Sequence, residues 1–93
     1  MSATPDPMHL SSHHRTTLQK ILQHPAGHNI EWHDVLSLLR VVGSVREHHD
    51  GKVAVTVGAD SRVFEVPAHK DIDSSTLIDL RRMLTAAGYG IEA

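Results

Sequence analysis

Residues 44–66 read SVREHHDGKVAVTVGADSRVFEV, and this stretch decides the fold. Apolar and polar residues alternate on both sides of two turn signals, Asp50-Gly51 and the segment 58–61, which is typical of half-buried antiparallel strands. The stretch therefore predicts three strands over 44–49, 52–57 and 62–66. A two-residue turn at Asp50-Gly51 should join the first two strands.

The middle strand has two different faces. Its three valines alternate with Lys52, Ala54 and Thr56, so the valine face should be core and the other face wetter. In a two-residue turn His49 would lie opposite Lys52, which places an imidazole base beside an ammonium group. Pro67 should end the third strand, because proline cannot donate to a sheet ladder.

Three helical patterns flank the strands. The first covers 12–23 with Ser12 as its cap, the second runs from Trp32 to Val42, and the third runs from Asp73 or Ser74 to about Ala87. Leu77, Leu80, Leu84 and Ala87 should form the buried stripe of the third helix.

Glycines should close the second and third helices, and helix-breaking residues separate the first helix from the second. Gly43 should close the second helix in a left-handed conformation, and Gly88 should end the third. Pro25 bars continuation of the first helix, and 25–29 should be a turn. Trp32 has helical spacing with Val35, which favours the core or a subunit interface over a base-stacking role.

The order α-α-β-β-β-α defines an α+β fold, a three-stranded antiparallel meander with flanking helices and an extra N-terminal helix. The polar, proline-containing segment 1–12 is expected to be a disordered leader. Residues 13–93 should form a single domain, since no second block of composition follows.

Composition limits the function classes. A 93-residue chain buries too little surface to enclose a small molecule, so a shallow site for a macromolecule is favoured. The absence of cysteine excludes disulfides and thiolate chemistry and suits the cytoplasm. The histidine pairs are adjacent in sequence and lack ligand spacing, so no metal and no cofactor are expected, and no stretch predicts a membrane span. The net charge of −2 opposes general RNA binding, although nine histidines offset it in mild acid.

Four segments of the second half carry a family resemblance. They are Val66-Pro67-Ala68-His69, Lys70-Asp71, Thr76-Leu77 and Ala87-Gly88-Tyr89. In this order and spacing the chain from Ile30 to Tyr89 resembles the HicA family of bacterial toxins. The resemblance implies a fold like that of double-stranded-RNA-binding domains, an mRNA interferase activity and control by a cognate antitoxin protein. The family has Gly-Ser-His where this chain has Gly51-Lys52-Val53, so its catalytic histidine is not present.

Metal-independent RNA cleavage needs a group that takes the 2′-hydroxyl proton and another that stabilises the phosphate charge. The candidate catalytic residues are His49 and His69, although the simpler interpretation of both is an exposed polar residue at a hairpin tip or in a loop. The candidate RNA-binding residues are Lys52, Lys70, Arg81 and Arg82, although the two arginines also suit a solvated helix face. The alternative function is a catalytically silent binding module that pairs with a protein partner or forms a homodimer through an exposed strand edge.

Overall fold

The computed structural model of the protein describes residues 10–23 and 30–89, which form an α+β fold, as predicted. The elements are α1 (Ser12–Leu22), α2 (Trp32–Val42), β1 (Ser44–Glu47), β2 (Lys52–Val57), β3 (Asp60–Glu65) and α3 (Ser74–Ala86). The predicted turn at 25–29 and the first nine residues of the predicted leader lie outside the described residues. Leu10 is buried and Ser11 caps α1, so this end of the predicted leader belongs to the folded domain.

The sheet is antiparallel with the order β1-β2-β3. Val53, Val55 and Val57 of β2 are buried, while its other face is exposed or half-buried, as the alternation predicts. Helix α2 packs against β1 and β2, α3 packs against β3, and α1 packs on both α2 and α3. The helices therefore cover the valine face, and no described element covers the opposite face of the sheet, which is called the open face below.

Both hairpin loops differ in length from the prediction, since the first is longer and the second is shorter. β1 ends at Glu47, which pairs with Val53, and His48 N donates to Lys52 O at 2.8 Å. The first loop thus has three residues, 49–51, with Gly51 at φ +82°, because a left-handed third residue closes such a loop. The prediction that His49 lies opposite Lys52 is wrong, since His48 holds that position.

The second hairpin is the tight one. Val57 pairs with Asp60, so only Gly58 and Ala59 form the turn. Gly58 has φ +61°, which a two-residue hairpin turn favours. β3 consequently begins two residues earlier than predicted, at Asp60, and ends at Glu65.

Gly43 ends α2 as predicted, but its conformation differs. Its φ is −159°, which is extended backbone, so the prediction of a left-handed residue is wrong. A Cβ at this position would lie 2.0 Å from the Thr56 carbonyl oxygen. Glycine is needed here because the chain passes directly against β2.

The helix ends follow local hydrogen bonding. The cap of α1 is Ser11, one residue before the prediction, because its Oγ accepts from His14 N at 3.1 Å. Asp73 caps α3, so it is the first of the two predicted starting residues, Asp73 and Ser74, that takes this role. Gly88 has φ +102°, and Tyr89 N donates to Leu84 O at 3.0 Å, which closes α3 in a Schellman arrangement.

The core lies between the valine face of the sheet and the helices. Trp32 is buried, with its ring centroid 6.4 Å from that of Phe64, which confirms its predicted place in the core. In α3 Leu80, Met83 and Leu84 are buried, whereas the predicted Leu77 and Ala87 are half-buried. The largest fully buried side chains are Ile21, Leu38, Leu39, Leu80, Met83 and Leu84 and the valines at 35, 53, 55 and 57.

Both α2 and α3 begin at the end of the sheet that holds the β1–β2 turn. Trp32 N donates to Lys70 O at 2.8 Å, and Ile72 N donates to Ile30 O at 2.9 Å. These two bonds fasten the start of α2 to the connection between β3 and α3. The loops at this end of the molecule are thereby held together.

Candidate nucleic-acid interface

The β1–β2 turn and the connection after β3 lie side by side. Val66 N donates to Gly51 O at 3.0 Å, which extends the pairing of β2 and β3 beyond the strands themselves. We name residues 48–52 and 66–70 together the hairpin end. It carries five basic side chains, which are His48, His49, Lys52, His69 and Lys70. Four of the predicted site residues are therefore brought to the same end of the sheet.

The open face of the sheet continues this basic character. His48 and Lys52 are cross-strand neighbours, so their side chains share a face, and Arg46 lies two residues along β1 on that same face. Arg46, His48 and Lys52 are all exposed. A two-residue loop would place His49 opposite Lys52, whereas the three-residue loop places His48 there, on the same face as Arg46.

The two candidate catalytic histidines are accessible but not oriented. His49 lies in the turn and His69 in the connection after β3, and both are exposed. Within the described residues neither side chain makes a hydrogen bond. A general base or acid is normally held in position by a third group, so this arrangement suits contact with a ligand better than proton transfer.

Carboxylates accompany the basic residues. Glu31 Oε2 lies 3.9 Å from Lys70 Nζ, and both side chains are substantially exposed. Asp50 lies in the turn, and Glu65 pairs across the strands with Lys52. The positive potential is consequently local and modest, and it should be sensitive to salt.

Arg81 holds the fold together. Its Nε donates to Ile21 O at 3.1 Å, and its Nη2 donates to Gln23 O at 3.2 Å. These carbonyls lie at the end of α1, where the last C=O groups of a helix have no partner within the helix. The Arg81 guanidinium thus binds a carbonyl sixty residues away in sequence. A local sequence pattern cannot indicate such a contact.

Arg82 is exposed in the second half of α3. This helix runs from the hairpin end towards the β2–β3 turn, where a Cβ at Gly58 would meet the Ala87 Cβ at 3.4 Å. The structure therefore does not bring Arg81 and Arg82 together with the lysines of the hairpin end.

The first turn of α3 is already capped. Thr76 N donates to Asp73 Oδ1 at 2.8 Å, and this bond holds the pKa of the Asp73 carboxyl below its ordinary value of 3.8. An ionised carboxylate at this position satisfies the helix N-terminus. The start of α3 is thus not open to a phosphate group. At the other end of α3, burial raises the pKa of the Tyr89 phenol.

Two histidines outside the hairpin end connect α1 to α2. His13 Nε2 lies 3.0 Å from Asp34 Oδ1, and His14 Nε2 lies 2.8 Å from Ser37 Oγ. Among the residues that the structure describes, no three His, Asp or Glu side chains converge as a metal site would require. The histidines of α1 therefore serve the packing of the two helices.

Comparisons of the chain with family models, with curated proteins and with solved structures found no match. Function has to be inferred from the residues and their arrangement. None of the helices in the described part of the chain is long and apolar enough to cross a membrane.

Proposed function

We propose that the domain binds RNA through the hairpin end, as a HicA-like module in the cytoplasm that a protein antitoxin controls. The observation that carries the proposal is the hydrogen bond from Val66 N to Gly51 O, at 3.0 Å. It joins the turn that bears His48, His49 and Lys52 to the segment that bears His69 and Lys70. Five exposed basic side chains thus gather at the hairpin end, where they can donate hydrogen bonds to successive phosphates of a nucleic acid.

The geometry favours RNA over a small anion. Arg46, His48 and Lys52 form a row on the open face of the sheet, and the exposed His69 and Lys70 lie in the connection that is bonded to the turn. Arg46 extends the row on the open face of the sheet, where nothing in the described structure covers it. An extended polyanion can contact such a row along its length, whereas a single phosphate would meet only one or two side chains.

Binding is better supported than cleavage. Val53 occupies the position at which the resembled family has its histidine, and Val53 is buried against the helices. Cleavage would instead depend on His49 and His69 acting as base and acid from exposed loops. We therefore expect an RNA-binding module, and we keep metal-independent cleavage as the outcome to be tested beside it.

Fluorescence anisotropy with a labelled structured RNA tests the binding. Removing one phosphate-binding side chain should reduce the slope of log K against log salt by about one. The Lys52→Gln/Lys70→Gln double variant should therefore bind more weakly and with a smaller slope than the unmodified protein. Arg15→Gln is the matched control, because Arg15 is exposed on α1 and lies outside the hairpin end. Equal salt slopes for the double variant and the control would contradict the proposed surface.

A denaturing gel of a structured messenger RNA without added metal tests the cleavage. Intact RNA with folded, RNA-binding protein is the expected result. Cleavage that is abolished in His49→Ala or in His69→Ala would show instead that the exposed histidines perform catalysis.

A further inference from the structure

The outer edge of β3 is an unpaired strand edge. The bond from Val66 N to Gly51 O fixes the alternation, so residues 60, 62, 64 and 66 direct their backbone groups towards β2. The backbone groups of Ser61, Val63 and Glu65 therefore point away from the sheet. In the described part of the chain, no backbone group pairs with them.

The two edges of the sheet differ. β1 has four residues, and Arg40 Nη2 donates to Glu47 Oε2 at 2.6 Å beside its edge. Short strands and charged side chains are the usual protection of an edge. β3 has six residues, and Val63 is 62% exposed and Val66 46% exposed. The β3 edge is thus the one that is open to a further strand.

A groove lies between β3 and α3 along this edge. Its volume is about 440 Å³, and its charged lining residues are all carboxylates, Glu65, Asp73 and Asp79. Arg62 Nη1 lies 3.7 Å from Asp79 Oδ1, and Arg62 Nε lies 3.6 Å from Asp60 Oδ2. These separations are longer than hydrogen bonds, and the buried Nε has no hydrogen-bond partner among the described residues. Three carboxylates, Asp60, Asp73 and Asp79, thus accompany the single cation Arg62, so the α3 side of the groove is acidic. Val63 and Glu65 share the open face of the sheet with Ala54 and Lys52.

We propose that the β3 edge accepts an extended, basic segment of a partner protein as a fourth strand. Main-chain hydrogen bonds to Ser61, Val63 and Glu65 would provide the pairing, as in other strand additions. Because side chains of a strand alternate, one face of the added strand would meet Asp79 and the other would lie beside Val63. The segment that fits has basic residues on the α3 side and apolar residues on the open side.

Charge selects this occupant over a second copy of the chain. An antiparallel pair of β3 strands would bring together two acidic grooves, each with the same three carboxylates. Like charges across a strand pair destabilise it, whereas lysine or arginine on the added strand would meet opposite charge. The complementary partner is therefore cationic.

The probe is a blocked seven-residue peptide in which lysine and valine alternate, and the control peptide has glutamate in place of lysine. Residue-resolved amide exchange is followed by NMR on the full chain, with and without the peptide. The amides of Ser61, Val63 and Glu65 should exchange rapidly in the free protein and become at least about tenfold more protected with the lysine peptide. The glutamate peptide should leave their exchange unchanged.

Matched variants locate the contact. Val63→Lys should weaken binding of the lysine peptide at least about tenfold, because it places a cation beside the added strand. Val41→Lys is the control, since Val41 is similarly exposed but lies on α2. Asp79→Asn should also weaken binding, because Asp79 lies on the α3 side that the lysines of the peptide would meet, and a second variant guards against a folding defect in a single one.

Three results would overturn the proposal. One is unchanged protection at Ser61, Val63 and Glu65 with saturating lysine peptide. Another is equal binding of the two peptides. The third is concentration-dependent protection of these amides without any peptide, with a dimer in sedimentation experiments, which would assign the edge to a second copy. None of these measurements involves RNA, so their outcome is separate from that of the RNA-binding proposal.

Discussion

Gly43 is the residue at which a single methyl group has the clearest effect. Its missing Cβ leaves room for the Thr56 carbonyl oxygen, which would otherwise lie 2.0 Å away. Gly43→Ala should therefore force β1 and β2 apart and destabilise the domain by at least about 2 kcal/mol. Urea unfolding of the variant measures this change.

Gly51→Ala is the matched control, since glycine is required there for a different reason. Gly51 has φ +82°, and no atom lies within 4 Å of a Cβ at that position. Gly51→Ala should lower the free energy of unfolding by about 1–2 kcal/mol. Gly51→Asn should lower it by less, because asparagine tolerates the left-handed conformation. Asparagine should not rescue position 43, and equal tolerance of asparagine at both sites would contradict the steric explanation.

Asp73 makes the stability of α3 depend on pH. Its pKa is lowered in the folded state by the bond from Thr76 N, so its carboxylate stabilises the fold above its ordinary pKa of 3.8. That contribution should disappear as the pH falls below 3.8 through the folded pKa. Asp73→Asn keeps a capping oxygen but does not titrate, so the two proteins should differ in stability near pH 6 and converge in acid. Thermal unfolding across this range tests the expectation, and a constant difference would contradict it.

At the scale of elements, Arg81 links α1 to α3. Its guanidinium donates to two carbonyls at the end of α1, so Arg81→Met should lower stability by about 1–2 kcal/mol and accelerate amide exchange in α1. RNA affinity should change little. Arg82→Met is the control and should leave the exchange of α1 unchanged, because Arg82 is exposed. A loss of RNA binding in Arg81→Met with unaltered stability would instead assign Arg81 to the interface.

Most elements can be predicted from the sequence, because their signals are local. The bounds of α2 and β2 agree with the helical period and with the alternating valines. The predicted cap of α1 is one residue late because Ser11 and Ser12 are chemically equivalent in sequence, and only geometry selects between them. The predicted lengths of both loops are wrong because both Asp50-Gly51 and Gly58-Ala59 can form a two-residue turn, and only the second does. Strand register, set by the valine face, decides between them.

Less of the candidate site can be predicted. The sequence indicates histidine and lysine near the first turn, but the one-residue difference in loop length exchanges His49 for His48 opposite Lys52. The bond between Gly51 and Val66 and the contact of Arg81 with α1 join residues that are distant in sequence. Such contacts follow from the assembled fold and leave no periodic signal.

At the scale of the whole molecule, charge is divided between two regions. The chain carries a net charge of −2, yet basic side chains gather at the hairpin end while carboxylates line the groove between β3 and α3. The two regions share Val66, Pro67 and Ala68. A polyanion and a cationic strand would thus occupy adjoining surfaces. Binding to RNA should be salt-dependent, because each basic side chain of the hairpin end that contacts a phosphate releases counterions.

The most direct measurement of the central claim is a titration of the ¹⁵N-labelled chain with a structured RNA, followed residue by residue by NMR. RNA binding at the hairpin end predicts that the largest amide shift changes occur in 48–52 and 66–70, with α1 little affected. Shift changes centred on α1 or on the second half of α3, or none at RNA concentrations that saturate the anisotropy signal, would contradict it.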